Sequence, residues 1–425
     1  MRSSKVRIAK IGIVLLGVIL LLVAGASATS KEEVIYSFQG GSDGAGPVSD
    51  LVADAAGNLY GTTTAGGSGC NCGTVFELMQ TKDGWKEQVL YSFTGGSDGG
   101  EPQTGLIFDS SGNLYGMTWK VVFQLAPNGH GGWTESNLYT FPLGAWATGD
   151  LAFDARGNLY GASSEDGNYG NHCGGKLGNG CGFVFELSPQ PGGSWTGTII
   201  YTFSGAPDAA EPSSGLILDA EGNLWGLTNG GGIGPCLSGY QNALSGCGTM
   251  YELSQGSGGN WTETVLYSFT RGGGFGVYPS GGPLFDKAGD VYGMSRAGGD
   301  GLGTVFKLHN WQKNGWQQSD LHLFYGKPND GAAPIGRLVT YAEDDLFGVT
   351  TSGGANRAGT VFEMRPLQNR WRETVLHSFG ASGDGAEPMA GLVIGPKSRL
   401  YGTTQYGGAG TGCQSGCGTV YEIIP

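Results

Sequence analysis

The sequence predicts an all-β fold: a seven-bladed β-propeller of four-stranded blades, its ring closed by an N-terminal strand that completes the last blade. Three observations predict it. The first is composition. With 84 glycines and 17 prolines among 425 residues, turn formers make up about a quarter of the chain, glycine well above its usual ~7%. Charged residues are 14% and aromatics 11%, which is too aromatic for a disordered chain. No long glycine-free run rich in Ala, Leu, Glu and Lys is present to build a helical bundle. The second observation is a phrase that recurs seven times, and the third is that the two ends of the chain complement each other.

Residues 1–28 read as a secretory signal peptide. Arg2, Lys5, Arg7 and Lys10 precede an apolar run over 11–25, and Ala26-Ser27-Ala28 supplies the small residues of a cleavage site. The run is shorter than the ~20 residues that span a bilayer. Cleavage after Ala28 is therefore expected, with a retained anchor as the alternative, and no cysteine follows to carry a lipid. Removing 28 of 425 residues leaves 397 in a single domain, 29–425. Four cations and no acids leave with the peptide, so the formal charge of −13 becomes −17. Nucleic-acid phosphates and anionic lipid headgroups repel such a chain. The expectation is a monomer with no nucleic-acid partner and no membrane insertion after cleavage.

The repeat begins with Gly57-Asn58-Leu59-Tyr60-Gly61, and its copies start at Gly112, Gly157 and Gly222. Degenerate copies follow at Asp290, Asp345 and Arg399. A second phrase, Gly73-Thr74-Val75-Phe76-Glu77-Leu78, returns near Val121, Phe183, Thr249, Thr304, Thr360 and Thr419. A third opens at Trp85, Trp133, Trp195, Trp261, Trp316 and Trp371 and ends in Tyr-Ser-Phe or a variant, spacing the repeats at about 57 residues. Each repeat thus holds four strand candidates; in the second they are 105–109, 113–118, 121–125 and 133–141. Asp54, Asp109, Asp154, Asp219 and Asp286 each precede a glycine by three positions, the pattern of a type I turn between the first two strands. The six tryptophans read as packing between blades. Residues 33–38 form a fourth strand without its first three, and 419–423 a third strand without its fourth. Four strands per unit, seven times over, with ends that complete one another, define a closed propeller.

The combination Gly-Leu-x-x-Asp-x-x-Gly-Asn-Leu-Tyr-Gly-Thr-Thr, then Gly-Gly, then Gly-Thr-Val-Phe-Glu-Leu resembles the GloVer-type tandem repeat of exported bacterial proteins over residues 33–425. The resemblance implies a propeller-like fold and an exported location, and it brings no catalytic residue. Members often end in a surface-sorting segment. This chain ends at Pro425 after the last strand, so free secretion or non-covalent surface association is the expectation.

Eight cysteines fall as Cys70/Cys72, Cys173/Cys181, Cys236/Cys247 and Cys413/Cys417, each pair between a second and a third strand. An even count in an exported chain reads as disulfides. Clustering favours four local staples, although closing a bridge over one residue is demanding and Cys72 has Cys413 or Cys417 as an alternative across the ring closure.

Catalytic signals are sparse. His130, His172 and His309 occupy unrelated positions, and His322 and His377 replace the Tyr of Leu-Tyr-Ser-Phe, a packing position. No histidine-ligated metal centre is read from them, and no cofactor is expected apart from calcium. Loops between blades carry Asp98-x-x-Glu101, Asp208-x-x-Glu211 and Asp384-x-x-Glu387; their oxygens suit Ca²⁺ or turn formation. Symmetry also breaks at one edge. Blade 2 lacks a second-to-third loop, since Thr118-Trp119-Lys120 runs into Val121, whereas blades 3 and 4 carry long ones over 165–181 and 229–247. A low blade beside tall loops makes a notch. Trp119, Trp146, Tyr169 and Tyr240 are its candidate ligand-binding aromatics, suited to a glycan or protein ligand. The function expected is a secreted or surface-associated binding propeller without catalysis. The alternative is an extracellular carbohydrate-active enzyme using carboxylates on the loop-bearing face or axis, such as Asp150, Glu165 or Asp166.

Overall fold

The computed structural model describes residues 30–142, 145–166, 172–173, 176–177, 180–234, 236, 246–271, 275–298, 301–311, 315–341, 344–368 and 370–425. The proposed signal peptide lies outside them. Seven antiparallel blades follow one another around a ring. Blade 1 comprises Val52–Ala53, Leu59–Thr63, Thr74–Thr81 and Gly84–Ser92. Blade 2 comprises Ile107–Phe108, Leu114–Met117, Val121–Pro127 and Trp133–Thr140. Its first strand is shorter than the sequence predicts, and Gly105 ahead of it gives its N–H to the Asp150 carboxylate of the next blade at 2.7 Å. The ring closes as expected. Lys31–Ser37 pairs antiparallel with Thr419–Ile424, Lys31 opposite Ile424 and Ser37 opposite Thr419.

The repeated phrase has a physical reading at each position. The Gly57 N–H donates to the Asp54 carbonyl at 3.1 Å, which closes the type I turn. The Asp54 carboxylate then accepts from the N–H groups of Ala56 and Asn58, the Asn58 amide and the Tyr60 hydroxyl. In blade 4 the Trp225 indole N–H takes the tyrosine's role on Asp219 at 2.9 Å. The glycine after the tyrosine serves packing: a Cβ on Gly61 would lie 2.7 Å from the Phe76 ring and 2.8 Å from Leu51. Its absence lets the third-strand ring lie against the second strand.

The apolar cores lie between blades. Leu59, Phe76 and Leu78 of blade 1 pack with Tyr401 and Val420 of blade 7. Five of the six repeated tryptophans reinforce these seams by meeting a second-strand ring of the preceding blade: Trp85 on Tyr401, Trp195 on Tyr115, Trp261 on Tyr160, Trp316 on Trp225 and Trp371 on Tyr292, all edge-on at 5.9–6.1 Å between centroids; Trp133 packs against the core between blades 1 and 2. Edge-to-face rings contribute ~0.5–1.5 kcal/mol each beyond the area they bury. Four local disulfides, Cys70–Cys72, Cys173–Cys181, Cys236–Cys247 and Cys413–Cys417, staple the second-to-third loops; Cys72 does not reach across the closure. Among the described residues, no helix is long and apolar enough to cross a membrane.

Candidate binding site on the propeller axis

In or just before each first strand one residue stands at the ring axis, followed in six blades by a leucine that turns back into the seam. The leucines Leu51, Leu106, Leu151, Leu216, Leu338 and Leu392 are all buried. The residues before them, with Gly282 before Pro283 in blade 5, read Asp50, Gly105, Asp150, Gly215, Gly282, Arg337 and Gly391 around the ring. Four glycines and three charged side chains thus occupy seven equivalent positions. All but Gly391 line a cavity of about 810 Å³ on the axis, walled by residues of all seven blades. Val52, Ile107, Val339 and Ile394 supply apolar wall.

Each aspartate is held by the blade before it. Asp50 Oδ1 accepts the Gly391 N–H at 2.5 Å, and Asp150 Oδ1 accepts the Gly105 N–H at 2.7 Å. Burial, and then the negative charge of Asp150, raise the Asp50 carboxyl above the usual aspartate range, opposed by the Arg337 guanidinium and the Gly391 N–H. Burial likewise raises Asp150, against Arg337 and the Gly105 N–H. Two carboxyls that hold protons more tightly than free aspartate, beside an exposed guanidinium, offer hydrogen-bond acceptors and donors within one cavity. Asp150 was a carboxylate the sequence singled out. Asp50 and Arg337 were missed, although aligning the residue before each repeat's Leu would have displayed them.

The notch residues are placed as follows. Trp119 and Trp146 are 41% and 43% exposed and border one depression with Thr104, Met117 and Ala147. That depression holds only about 10 Å³, room for one water, so any ligand there meets the outer indole faces. The Lys120 ammonium lies 5.9 Å from the Trp119 ring centroid. Tyr169, Tyr240 and the Asp166 side chain lie outside the described residues. Glu165 sits on Leu159–Asp166 and does not line the axial cavity.

The loop aspartates turn toward their own loops. Asp98 accepts from the Tyr91 hydroxyl, the Thr94 N–H and hydroxyl, and the Gly96 N–H. Those hydrogen bonds hold its carboxyl below the ordinary range although burial pulls the other way. Asp208 accepts from the Tyr201 hydroxyl, the Ser204 N–H and hydroxyl, and its neighbour Ala209 N–H. Asp384 accepts from the N–H groups of Gly380 and Gly385 and faces His377 Nε2 at 3.0 Å. Glu101, Glu211 and Glu387 all adopt positive φ, and their N–H groups bond to the carbonyls of Cys72, Cys181 and Ala358.

No curated sequence matches the chain. Solved structures share the architecture at low identity. Virginiamycin B lyase from Staphylococcus aureus is 11% identical, covers 93% of this chain and 99% of its own, and has a TM-score of 0.53. The extracellular domain of a hybrid two-component system from B. thetaiotaomicron is 11% identical over 92% of this chain and 39% of its own, at TM-score 0.55. PorZ, a surface component of the type-IX secretion system of Porphyromonas gingivalis, is 13% identical over 88% of this chain and 46% of its own, at TM-score 0.50. Such identities speak for the fold alone. The Gloeobacter/Verrucomicrobia repeat model, by contrast, matches residues 26–238 and again 236–425, end to end through the blades just described, and the chain belongs to that repeat family.

Proposed function

We propose that this chain is an exported binding propeller that takes a polar, sugar-class ligand into its axial cavity. The observation that carries the proposal is the inner ring, where Asp50, Asp150 and Arg337 stand among four glycines at seven equivalent positions. A residue repeated seven times cannot orient one ligand; three charged side chains at unequal spacings can. Carboxylates accept and guanidinium donates hydrogen bonds to neighbouring hydroxyls, and the apolar wall suits the C–H face of a sugar ring. The volume of about 810 Å³ is within the ~300–1,000 Å³ of small-molecule sites. Export is supported by the signal-like residues 1–28 and the four disulfides. The extracellular and surface settings of two propeller neighbours agree with it. Trp119 and Trp146 are proposed as an accessory stacking surface.

A second reading, a carbohydrate-active enzyme, is favoured by one observation: two axial carboxyls with raised proton affinity, the equipment of acid–base hydrolysis. A glycan array and a panel of glycosidase substrates, run on protein 29–425, test both. The double variant Asp50→Asn/Asp150→Asn is expected to bind at least roughly tenfold more weakly, since a hydrogen bond to a charged group contributes ~1.5–3 kcal/mol. Undiminished binding by that variant overturns the axial site. If Trp119→Ala/Trp146→Ala abolishes binding instead, the site moves to the rim. Turnover that Asp50→Asn abolishes establishes the enzyme.

A further inference from the structure

Tyrosine or histidine occupies one position in every fourth strand: Tyr36, Tyr91, Tyr139, Tyr201, Tyr267, His322 and His377. Each ring meets the phenylalanine two residues on, His322 with Phe324 at 4.7 Å and His377 with Phe379 at 4.8 Å between centroids. At the seams of Tyr36, Tyr91 and Tyr201 the hydroxyl donates to the aspartate of the following loop. The next blade's fourth strand brings a glutamate against the same aspartate: Glu87 for Asp43, Glu135 for Asp98 and Glu263 for Asp208. Two adjacent seams keep the acids and exchange the phenol for an imidazole. His322, Asp330 and Glu373 converge between blades 5 and 6, and His377, Asp384 and Glu32 between blades 6 and 7.

We propose that these two clusters are divalent transition-metal sites, each binding Zn²⁺ through one imidazole nitrogen and two carboxylates, with water completing the shell. Within each cluster one ligand atom from every residue lies within 4.8 Å of the others. The His322 Nε2–Asp330 Oδ1 and His377 Nε2–Asp384 Oδ2 separations are 3.1 and 3.0 Å. Two ligands at ~2.0–2.1 Å from a tetrahedral zinc stand about 3.3 Å apart, so little movement is needed. Glu373 Oε1 and Glu32 Oε1 are shut off from solvent without a hydrogen-bond partner, as are Glu87, Glu135 and Glu263 at tyrosine seams; only at the two histidine seams does an imidazole nitrogen join the carboxylates to make a mixed donor set that a cation satisfies. Backbone N–H groups already orient the aspartates: Tyr325 on Asp330, and Gly380 and Gly385 on Asp384. A surface groove along the fourth strand of blade 6 is lined by Glu373 of one cluster and His377 of the other. Mixed nitrogen and carboxylate donors suit Zn²⁺ better than the all-oxygen shell of Ca²⁺. The second site takes Glu32 from the strand that closes the ring, so metal bound there ties that strand to blade 6.

The test is calorimetric titration of chelator-treated protein 29–425 with ZnCl₂, with CaCl₂ as a control. His322→Tyr and His377→Tyr restore the residue that five other seams carry, so both variants are expected to fold, which circular dichroism checks. Wild type is expected to bind two equivalents of Zn²⁺. Each single variant should bind one and the double variant none, while Glu373→Gln weakens its site at least tenfold. Zn²⁺ should raise the melting temperature of wild type, and Glu32→Gln should remove the part that His377→Tyr also removes. A stoichiometry that either histidine variant leaves unchanged overturns the site it carries. Tighter binding of Ca²⁺ than of Zn²⁺ overturns the assignment of the metal.

Discussion

Glu87 sits on Gly84–Ser92, with Oε1 closed to water and unbonded, facing Asp43. Asp43 itself is taken up by the Tyr36 hydroxyl and the N–H groups of Gln39 and Gly41. Burial first, and then the Asp43 charge, push the Glu87 carboxyl up to about 7. The folded chain therefore favours the neutral acid. Its stabilisation is complete below the unfolded value of ~4.3 and is lost as pH rises through about 7. Melting temperatures of wild type and Glu87→Gln, measured between pH 4 and 9, are expected to diverge across that window, the wild type declining more steeply. Parallel curves would show that Glu87 ionises freely in the fold.

The second-to-third loops differ from blade to blade, and their staples differ in what they close. Cys236–Cys247 spans 11 positions and is buried, whereas Cys70–Cys72 spans two. Cross-linking restricts the unfolded chain more as the loop lengthens, by ~3 kcal/mol for fifteen residues. Cys236→Ser/Cys247→Ser is thus expected to cost roughly 2–3 kcal/mol in urea unfolding, and Cys70→Ser/Cys72→Ser clearly less. An equal or reversed order would sink the loop-entropy account. The strands between these loops were legible because the repeat states each one several times over. Asp54, Asn58 and Tyr60 form one hydrogen-bonded unit, so the recurring phrase is the recurring turn. Strand ends were less legible: Gly105 gives its N–H to an aspartate 45 residues away, a partner that no local pattern announces.

Closure of the ring rests on Lys31–Ser37 and on Phe38, which is fully buried between blades 7 and 1. Deleting residues 31–38 removes the outer strand of blade 7 and leaves Thr419–Ile424 as an open edge. Loss of a buried phenylalanine alone costs ~3–5 kcal/mol. The truncated protein is therefore expected to melt at least roughly 5 °C lower and to aggregate more readily. Melting at an unchanged temperature would show that the ring does not depend on this strand.

The sequence alone carried the propeller, its seven repeats, the complementary ends, the turn aspartates and the packing role of the tryptophans. Each of these is either local in the chain or repeated, so spacing and residue type suffice to specify it. The axial ring and the two histidine clusters needed the folded molecule. Asp50, Asp150 and Arg337 come from blades 1, 3 and 6 and face one cavity only because the ring brings their strands to a common axis. The exchange of Tyr for His at His322 and His377 was visible in the repeated phrase and read as packing. Their carboxylate partners Glu373 and Glu32 arrive from the next blade, and Glu32 from the opposite end of the chain. Local physics builds each blade, but it is closure of the circle that sets the charged groups of different blades within reach of one another.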